Sequence, residues 1–191
     1  LIINIDNLKK AQDLHSNQIL ASIPKDVKTI LDVGSGSGGL AEKLVENNYK
    51  VECVSPSSYL SDAIEKKLDS SVIVHRSTFE SFDSQKKYDL ILFSESFQYV
   101  NIKKTLNKIP NIIKEKGHLL ICDFFRQPGT GTKPLGGGHD WGVFEKILSS
   151  YDFLELKDID ITKETARTYD LISQILDEVA GPVKDLSAKY L

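Results

Sequence analysis

Short apolar runs alternate with stretches of helical periodicity along most of the chain. That order is expected of a mostly parallel α/β sheet with helices on both faces. Residues 7–22 predict a helix, with Leu8, Ala11, Leu14, Gln18 and Ile19 near one face, ended by Pro24. Residues 29–33 predict the first strand, 34–39 a tight turn, and a helix then continues to about Asn48. Residues 50–54 predict the second strand; Ser55-Pro56-Ser57 opens a helix that runs through Leu68. Residues 72–74 and 88–93 predict the third and fourth strands. Residues 102–115 predict a helix with Pro110 kinking it and Gly117 as its C-terminal cap. Residues 118–124 predict a fifth strand, 141–149 a short helix and 153–161 a sixth strand. The stretch 126–140, with five Gly and two Pro, has no periodicity and predicts a long loop. From Lys163 to Tyr190 the apolar spacing is helical again, bent or divided at Pro182.

Composition narrows the classes. The chain has 191 residues, enough for one domain with a substantial core. The formal net charge of −3 provides no general basic field, so no nucleic-acid partner is expected. No apolar run suggests a membrane span, and the start carries no signal-peptide pattern. Cys53 and Cys122 sit inside apolar runs without a Cys or His at metal-ligand spacing. They read as reduced core thiols, so no metal site and a cytoplasmic setting are expected. The chain starts at Leu1 and contains no Met; the missing initiator suggests a fragment.

The segment Ile30-Leu31-Asp32-Val33-Gly34-Ser35-Gly36-Ser37-Gly38-Gly39 carries the candidate chemistry. Glycines let a strand-to-helix turn approach a ligand closely, and the following helix offers free amides to it. Gly34, Gly36 and Gly39 also match the dinucleotide pattern. Asp32 argues against a dinucleotide. A carboxylate at the end of a buried strand needs a cationic or hydrogen-bonding partner. A methionyl ammonium supplies one; a pyrophosphate does not.

Asp32-x-Gly34-x-Gly36-x-Gly38 resembles the first motif of the class I S-adenosylmethionine-dependent methyltransferases. The segments Tyr88–Glu95 and Asn111–Leu119 resemble that family's fourth strand and its helix, turn and fifth strand, in order. The resemblance covers about residues 25–161. It implies a doubly wound, Rossmann-like sheet of order 3-2-1-4-5-7-6. The seventh strand is then either replaced by the terminal helical segment or lies beyond Leu191. The implied organisation is one domain over 1–191: an N-terminal helix (1–24), a cofactor-binding core (25–161) and a helical lid or insertion (162–191).

The resemblance implies S-adenosylmethionine as cofactor and S-adenosylhomocysteine as product. It makes Asp32, Gly34, Ser35, Gly36 and Gly38 cofactor-binding, with Asp32 toward the methionyl ammonium. Ser55 stands where the family usually has an acidic residue for the ribose hydroxyls. It and Ser57 either cap the next helix alone or also touch the cofactor. Thr78, Phe79 and Glu80 fall where adenine usually sits, and Phe79 is either a stacking face or core. Ser94 and Glu95 follow the fourth strand toward the cleft; Glu95 is alternatively a solvated cap.

For the methyl acceptor, a small molecule, two candidates for the chemistry stand out. His139 has a near-neutral pKa type and follows mobile glycines, so it is either a base or a capping residue. Tyr99 either lines the acceptor pocket or takes part in the chemistry. His15 is a packing residue that could also reach the cleft. Transfer to an O, N or C atom stays open, as does a homodimer. Two other functions remain: an NAD-dependent oxidoreductase, and a non-catalytic cofactor- or partner-binding domain.

Overall fold

A computed structural model describes residues 5–129, 138–163 and 165. The chain divides into two compact units: Ile19–Phe153, and Leu1–Gln18 with Leu154–Leu191. The larger unit holds the sheet. Its strands are β1 (Thr29–Val33), β2 (Lys50–Val54), β3 (Val72–His75), β4 (Tyr88–Ser94) and β5 (Ile113–Cys122). They lie in the order β3-β2-β1-β4-β5, and every neighbouring pair is parallel. The helices are α1 (Ile5–Ser22), α2 (Gly39–Glu46), α3 (Ser58–Leu68), α4 (Ile102–Ile112) and α5 (Trp141–Leu148).

Strands buried on both faces read as continuous apolar runs, because alternate side chains enter two different cores. In β1 and β4, Leu31, Val33, Ile91 and Phe93 pack with α4 residues Leu106 and Ile109 and with Phe144 of α5. Ile30, Leu90 and Leu92 face the other way, onto Ala41 and Leu44 of α2, Ile64 of α3 and Ile19 in the last turn of α1. The doubly wound architecture follows, and all five carboxyl ends lie at one edge of the sheet.

Three expectations are corrected. First, α4 stops at Ile112, two residues after Pro110, and β5 begins at Ile113. Tyr88 pairs with Ile113 and Leu90 with His118, so the intervening residues of β5 bulge out of the ladder. Gly117 is therefore a bulge residue rather than a helix cap. A Cβ there would meet Ile113 Cγ1 at 2.6 Å and the Lys114 carbonyl at 2.9 Å. The bulge lets Lys114 reach Asp89 at 2.9 Å. Asp89 also accepts from the Thr29 and Lys28 amides, which ties β1, β4 and β5 together at the sheet's amino edge. Burial would raise the Asp89 carboxyl, but Lys114 and the Thr29 and Lys28 donors outweigh it and hold it well below the usual range.

Second, residues 153–161 form no sixth strand: they carry no ladder among the described residues. Phe153 packs on the core of the larger unit, but Leu154 is 83% exposed, and Leu156 and Ile159 are exposed too. Alternating apolar residues need a sheet edge to pair with, and none takes them up here. Third, the long loop contains structure. β6 (Phe125–Arg126) and β7 (His139–Asp140) form a separate two-stranded parallel sheet. Residues 130–137 of the loop lie outside the described residues, as does nearly all of the helical segment expected at 163–190. None of the described helices is long and apolar enough to cross a membrane.

Candidate functional site

The turn after β1 carries three glycines in left-handed backbone: Gly34 (φ 77°), Gly36 (φ 55°) and Gly38 (φ 81°). Their surroundings differ. A Cβ on Gly34 would lie 2.4 Å from Ser96 Cβ, so this position packs directly on the segment after β4. A Cβ on Gly36 would meet no atom within 4 Å among the described residues, so the turn faces open space there. Gly38 precedes α2 and lies against Ile64 of α3. The Gly34 amide donates to the Val54 carbonyl at 2.8 Å, and the Ser96 hydroxyl donates to the Val33 carbonyl. The ends of β1, β2 and β4 are thereby stitched into one edge.

Asp32 sits under this turn and is 1% exposed. Its Oδ2 has no hydrogen-bond partner among the described residues. Burial pushes its carboxyl up to about 6, an effect that the nearby Ser35 hydroxyl only partly offsets. Ser35 Oγ itself donates to the Asp32 main-chain carbonyl at 2.9 Å. A buried carboxylate oxygen with no internal donor is costly, and a ligand donor or cation at that point offsets the cost.

At the end of β2, Ser55 is 2% exposed and its amide donates to the His75 carbonyl at 3.0 Å. Ser57 caps α3, its Oγ accepting from the Leu60 amide at 3.3 Å. Beyond β3, Thr78 Oγ1 accepts from the Ser81 amide, and Glu80 Oε1 accepts from the Asn101 amide. Phe79 is 2% exposed, and its ring packs edge-on against Phe93 at 5.2 Å, inside the core. Of the two roles expected for Phe79, this placement supports packing.

Beyond β4, Ser94 is half-buried. Glu95 is exposed and left-handed (φ 54°), its amide donating to the Cys122 carbonyl at 2.8 Å. Phe97–Tyr99 form a single 3-10 turn. Phe97 is buried, whereas Tyr99 is 80% exposed. His139 Nε2 lies 2.9 Å from the Phe97 carbonyl, and its ring stands edge-on to Phe97 at 5.5 Å. Asp140 does not partner His139; its Oδ1 caps α5 by accepting from the Val143 amide at 3.0 Å. Phe97, Phe125, Trp141 and Phe144 form one aromatic cluster around this corner.

The structure brings Asp32, the glycine turn, Ser55 and the residues after β4 to one edge, with His139 joined to them through Phe97. Three polar residues there lay outside the sequence expectations. Ser96 packs on Gly34. Asp123, just after β5, accepts from the amides of Gln98 (3.0 Å) and Phe124 (2.7 Å). Lys108 of α4 donates to the carbonyls of Phe79 (2.8 Å), Glu80 (2.7 Å) and Phe82, which fixes the turn after β3. Asp123 had a readable signal: like Asp32, it is a carboxylate at the end of an apolar strand. Lys108 had none, because a lysine on a helix surface is usually solvated.

The sequence model of a family described as "Methyltransferase domain" matches residues 8–159. The chain is 31% identical over 86 residues to a ribosomal RNA small subunit methyltransferase A of Campylobacter fetus, covering 45% of this chain and 32% of that protein. It is 25% identical over 158 residues to a ubiquinone biosynthesis O-methyltransferase of Rickettsia bellii, covering 74% and 65%. The chain thus spans from about a third to just under two thirds of the length of these relatives. Among solved structures it resembles a geranyl diphosphate C-methyltransferase from Streptomyces coelicolor A3(2), in complex with Mg2+, geranyl diphosphate and S-adenosyl-L-homocysteine. The TM-score is 0.73 at 14% identity, covering 90% of this chain and 74% of that one.

Proposed function

The chain belongs to the class I S-adenosylmethionine-dependent methyltransferases, and we propose that it transfers a methyl group to a small-molecule acceptor at the carboxyl edge of its sheet. The observation that carries this reading is the buried, unpartnered Oδ2 of Asp32 beneath a glycine turn that faces open space.

The residues present fit the cofactor that the family uses. Asp32 offers a carboxylate for the methionyl ammonium. Gly34, Ser35, Gly36 and Gly38 shape the turn, and Gly36 leaves room above it. Ser55, with Ser57 beside it, is the group for the ribose hydroxyls. Thr78 and the backbone of the turn held by Lys108 border the adenine end, with Phe79 supporting it from the core. Ser94 and Glu95 border the methyl end. A dinucleotide fits less well, since its pyrophosphate would bring negative charge toward Asp32.

When bound, the cofactor supplies a methyl group activated by the adjacent sulfonium. The chain's own residues then hold the acceptor in line and, for a protonated acceptor, take its proton. In this reading His139 takes the proton, and Tyr99 lines the acceptor site or takes part in the chemistry. A small acceptor rather than RNA is supported by the net charge of −3 and by the aromatic cluster around His139. Two cysteines lodged in apolar strands, Cys53 in β2 and Cys122 in β5, support a cytoplasmic setting. A homodimer remains part of this reading.

Calorimetric titration of the chain with S-adenosylhomocysteine and, separately, with NAD tests it. Binding of the first without the second is expected. Binding of NAD alone would replace this reading with an oxidoreductase, and binding of neither would leave a partner-binding domain.

A further inference from the structure

Lys108 of α4 aims its ammonium at main chain rather than at a carboxylate. Its Nζ donates to the carbonyls of Phe79 at 2.8 Å, Glu80 at 2.7 Å and Phe82. A lysine ammonium has three N–H donors and no acceptor. Three carbonyls therefore use all of its donors, and none is left for a carboxylate or a phosphate. The Glu80 carboxylate is engaged elsewhere, accepting from the Asn101 amide at 2.9 Å.

The three carbonyls belong to one turn of chain. The Ser81 and Phe82 amides both donate to the Thr78 carbonyl, at 3.2 and 2.9 Å. The carbonyls of Phe79, Glu80 and Phe82 accept from no backbone amide among the described residues. As at the last turn of a helix, carbonyls left over in this way favour a cation. The turn cannot rotate them away to water, because the Phe79 and Phe82 side chains are anchored in the core, 2% and 3% exposed. The ammonium also lies 5.5 Å from the centre of the Phe79 ring. Burial pulls the Lys108 pKa down, and the charges of Asp83 and Glu80 only partly offset it.

This turn belongs to the carboxyl edge of the sheet. The His75 carbonyl, at the end of β3, accepts from the amides of both Ser55 and Ser77 at 3.0 Å. The end of β2 and the start of the turn thus share one anchor. Helix α4 grips the turn at two points: through the amide of Asn101, its N-cap, and through Lys108, about two helical turns further on. Beside the ammonium opens a cavity of about 360 Å³, lined by Phe82, Asp83, Lys87 and Lys108 among others. Solution therefore has a path to the cation's position.

We propose that the carbonyls of Phe79, Glu80 and Phe82 form a site for a small N–H-bearing monovalent cation, and that Lys108 fills it with a tethered ammonium. Lys108 is thereby a positioning residue for the adenosine half of the cofactor. The second statement rests on the methyl-transfer reading above and deepens it; the cation site itself rests on the geometry alone. Tethering keeps the site filled at any salt concentration. The turn bordering the adenine end is then set before the cofactor arrives, and binding need not order it.

The test compares two variants and two ligands. Lys108→Ala empties the site and leaves room for a free cation, whereas Lys108→Met removes the charge but keeps the stem in the way. The ligands are S-adenosylhomocysteine and 5′-methylthioadenosine, which keeps the adenosine but lacks the methionyl ammonium and carboxylate. Both variants are expected to bind both ligands about tenfold or more weakly than the parent, by the same factor for each. Asp32→Ala, acting at the methionyl end, should weaken only S-adenosylhomocysteine. Methylammonium chloride should restore both affinity and unfolding temperature in Lys108→Ala and leave Lys108→Met unchanged. Tetramethylammonium chloride at the same ionic strength, which has no N–H, should restore neither. In the 15N-labelled parent, the Lys108 ammonium should give a 1H–15N signal protected from solvent exchange, assigned by its loss in Lys108→Met.

Parental affinity for 5′-methylthioadenosine in the folded variants overturns the positioning role. Rescue by methylammonium no better than by tetramethylammonium overturns the cation site. Should Lys108→Ala fail to fold, Lys108→Met and the parent's ammonium signal decide, and a freely exchanging Lys108 ammonium in the parent overturns the site. Failure of the methyl-transfer reading looks different: the parent binds neither ligand, while the protected ammonium and the rescue of unfolding temperature remain.

Discussion

Gly34 and Ser96 touch so closely that a Cβ added to Gly34 would lie 2.4 Å from that of Ser96. The contact joins the turn after β1 to the segment after β4. It makes Gly34 and Gly36 of that turn unequal. Gly34→Ala adds both a clash and a left-handed alanine, and is expected to cost about 2–4 kcal/mol of stability. Gly36→Ala meets no atom and costs about 1–2 kcal/mol from backbone strain alone. Thermal unfolding should show the larger drop for Gly34→Ala. Titration should show at least a tenfold loss of S-adenosylhomocysteine binding in the folded Gly36→Ala variant. Equal unfolding temperatures would contradict the packing; parental affinity in Gly36→Ala would contradict the site.

Asp32 is expected to make stability and binding respond oppositely to pH. Its folded pKa, about 6, is above the model-peptide value of 3.8, so the folded state favours the protonated form. Ionisation above pH 6 therefore destabilises the ligand-free fold, by roughly 3 kcal/mol once complete. The penalty fades as pH falls through 6 toward 4. Asp32→Asn removes it, so the variant should unfold at a higher temperature than the parent at pH 8, and the gap should shrink at pH 5. Asp89 has the opposite sign, because its pKa is lowered; its contribution is lost only below pH 4. Binding of S-adenosylhomocysteine needs the charge on Asp32. Asp32→Ala should weaken it by about 1–3 kcal/mol at pH 8. In the parent, affinity should fall as pH drops below 6, and a flat affinity from pH 8 to 5 would remove the ammonium role.

Ser55 is buried at the end of β2, where a carboxylate would lack solvent. Ser55→Asp is expected to lower the unfolding temperature of the ligand-free chain, since a buried charge needs a partner. It is also expected to tighten S-adenosylhomocysteine binding by adding a charge-assisted bond to a ribose hydroxyl. A folded variant with weaker binding would show that the ribose is held elsewhere.

Lys108 satisfies three carbonyls on the turn after β3. Lys108→Met keeps the stem's packing and leaves those oxygens without their donor, at an expected cost of about 2–4 kcal/mol. Denaturant unfolding measures it. A change under 0.5 kcal/mol would mean that water replaces the ammonium.

The chain's short apolar runs determined β1 and β2 to the residue, because their apolar positions Ile30, Leu31, Val33, Val51, Cys53 and Val54 are the ones the core buries. The glycines between β1 and α2, and Asp32 before them, were equally legible, since local backbone freedom and the cost of a buried charge act within a few residues. The end of α4 was not. Residues 113–115 continue a helical spacing, and only pairing with β4 converts them into strand and bulge. The sixth strand failed for the converse reason: an alternating pattern becomes a strand only where a sheet edge accepts its hydrogen bonds. His139 was visible as a residue type, but its partner was not. The Phe97 carbonyl it meets lies 42 residues away in the chain, and the Asp123 carboxylate that braces that turn comes from a third segment. Local sequence set most of the elements and the glycine turn. Long-range backbone contacts, which no short window of residues contains, decided which groups face one another at the site.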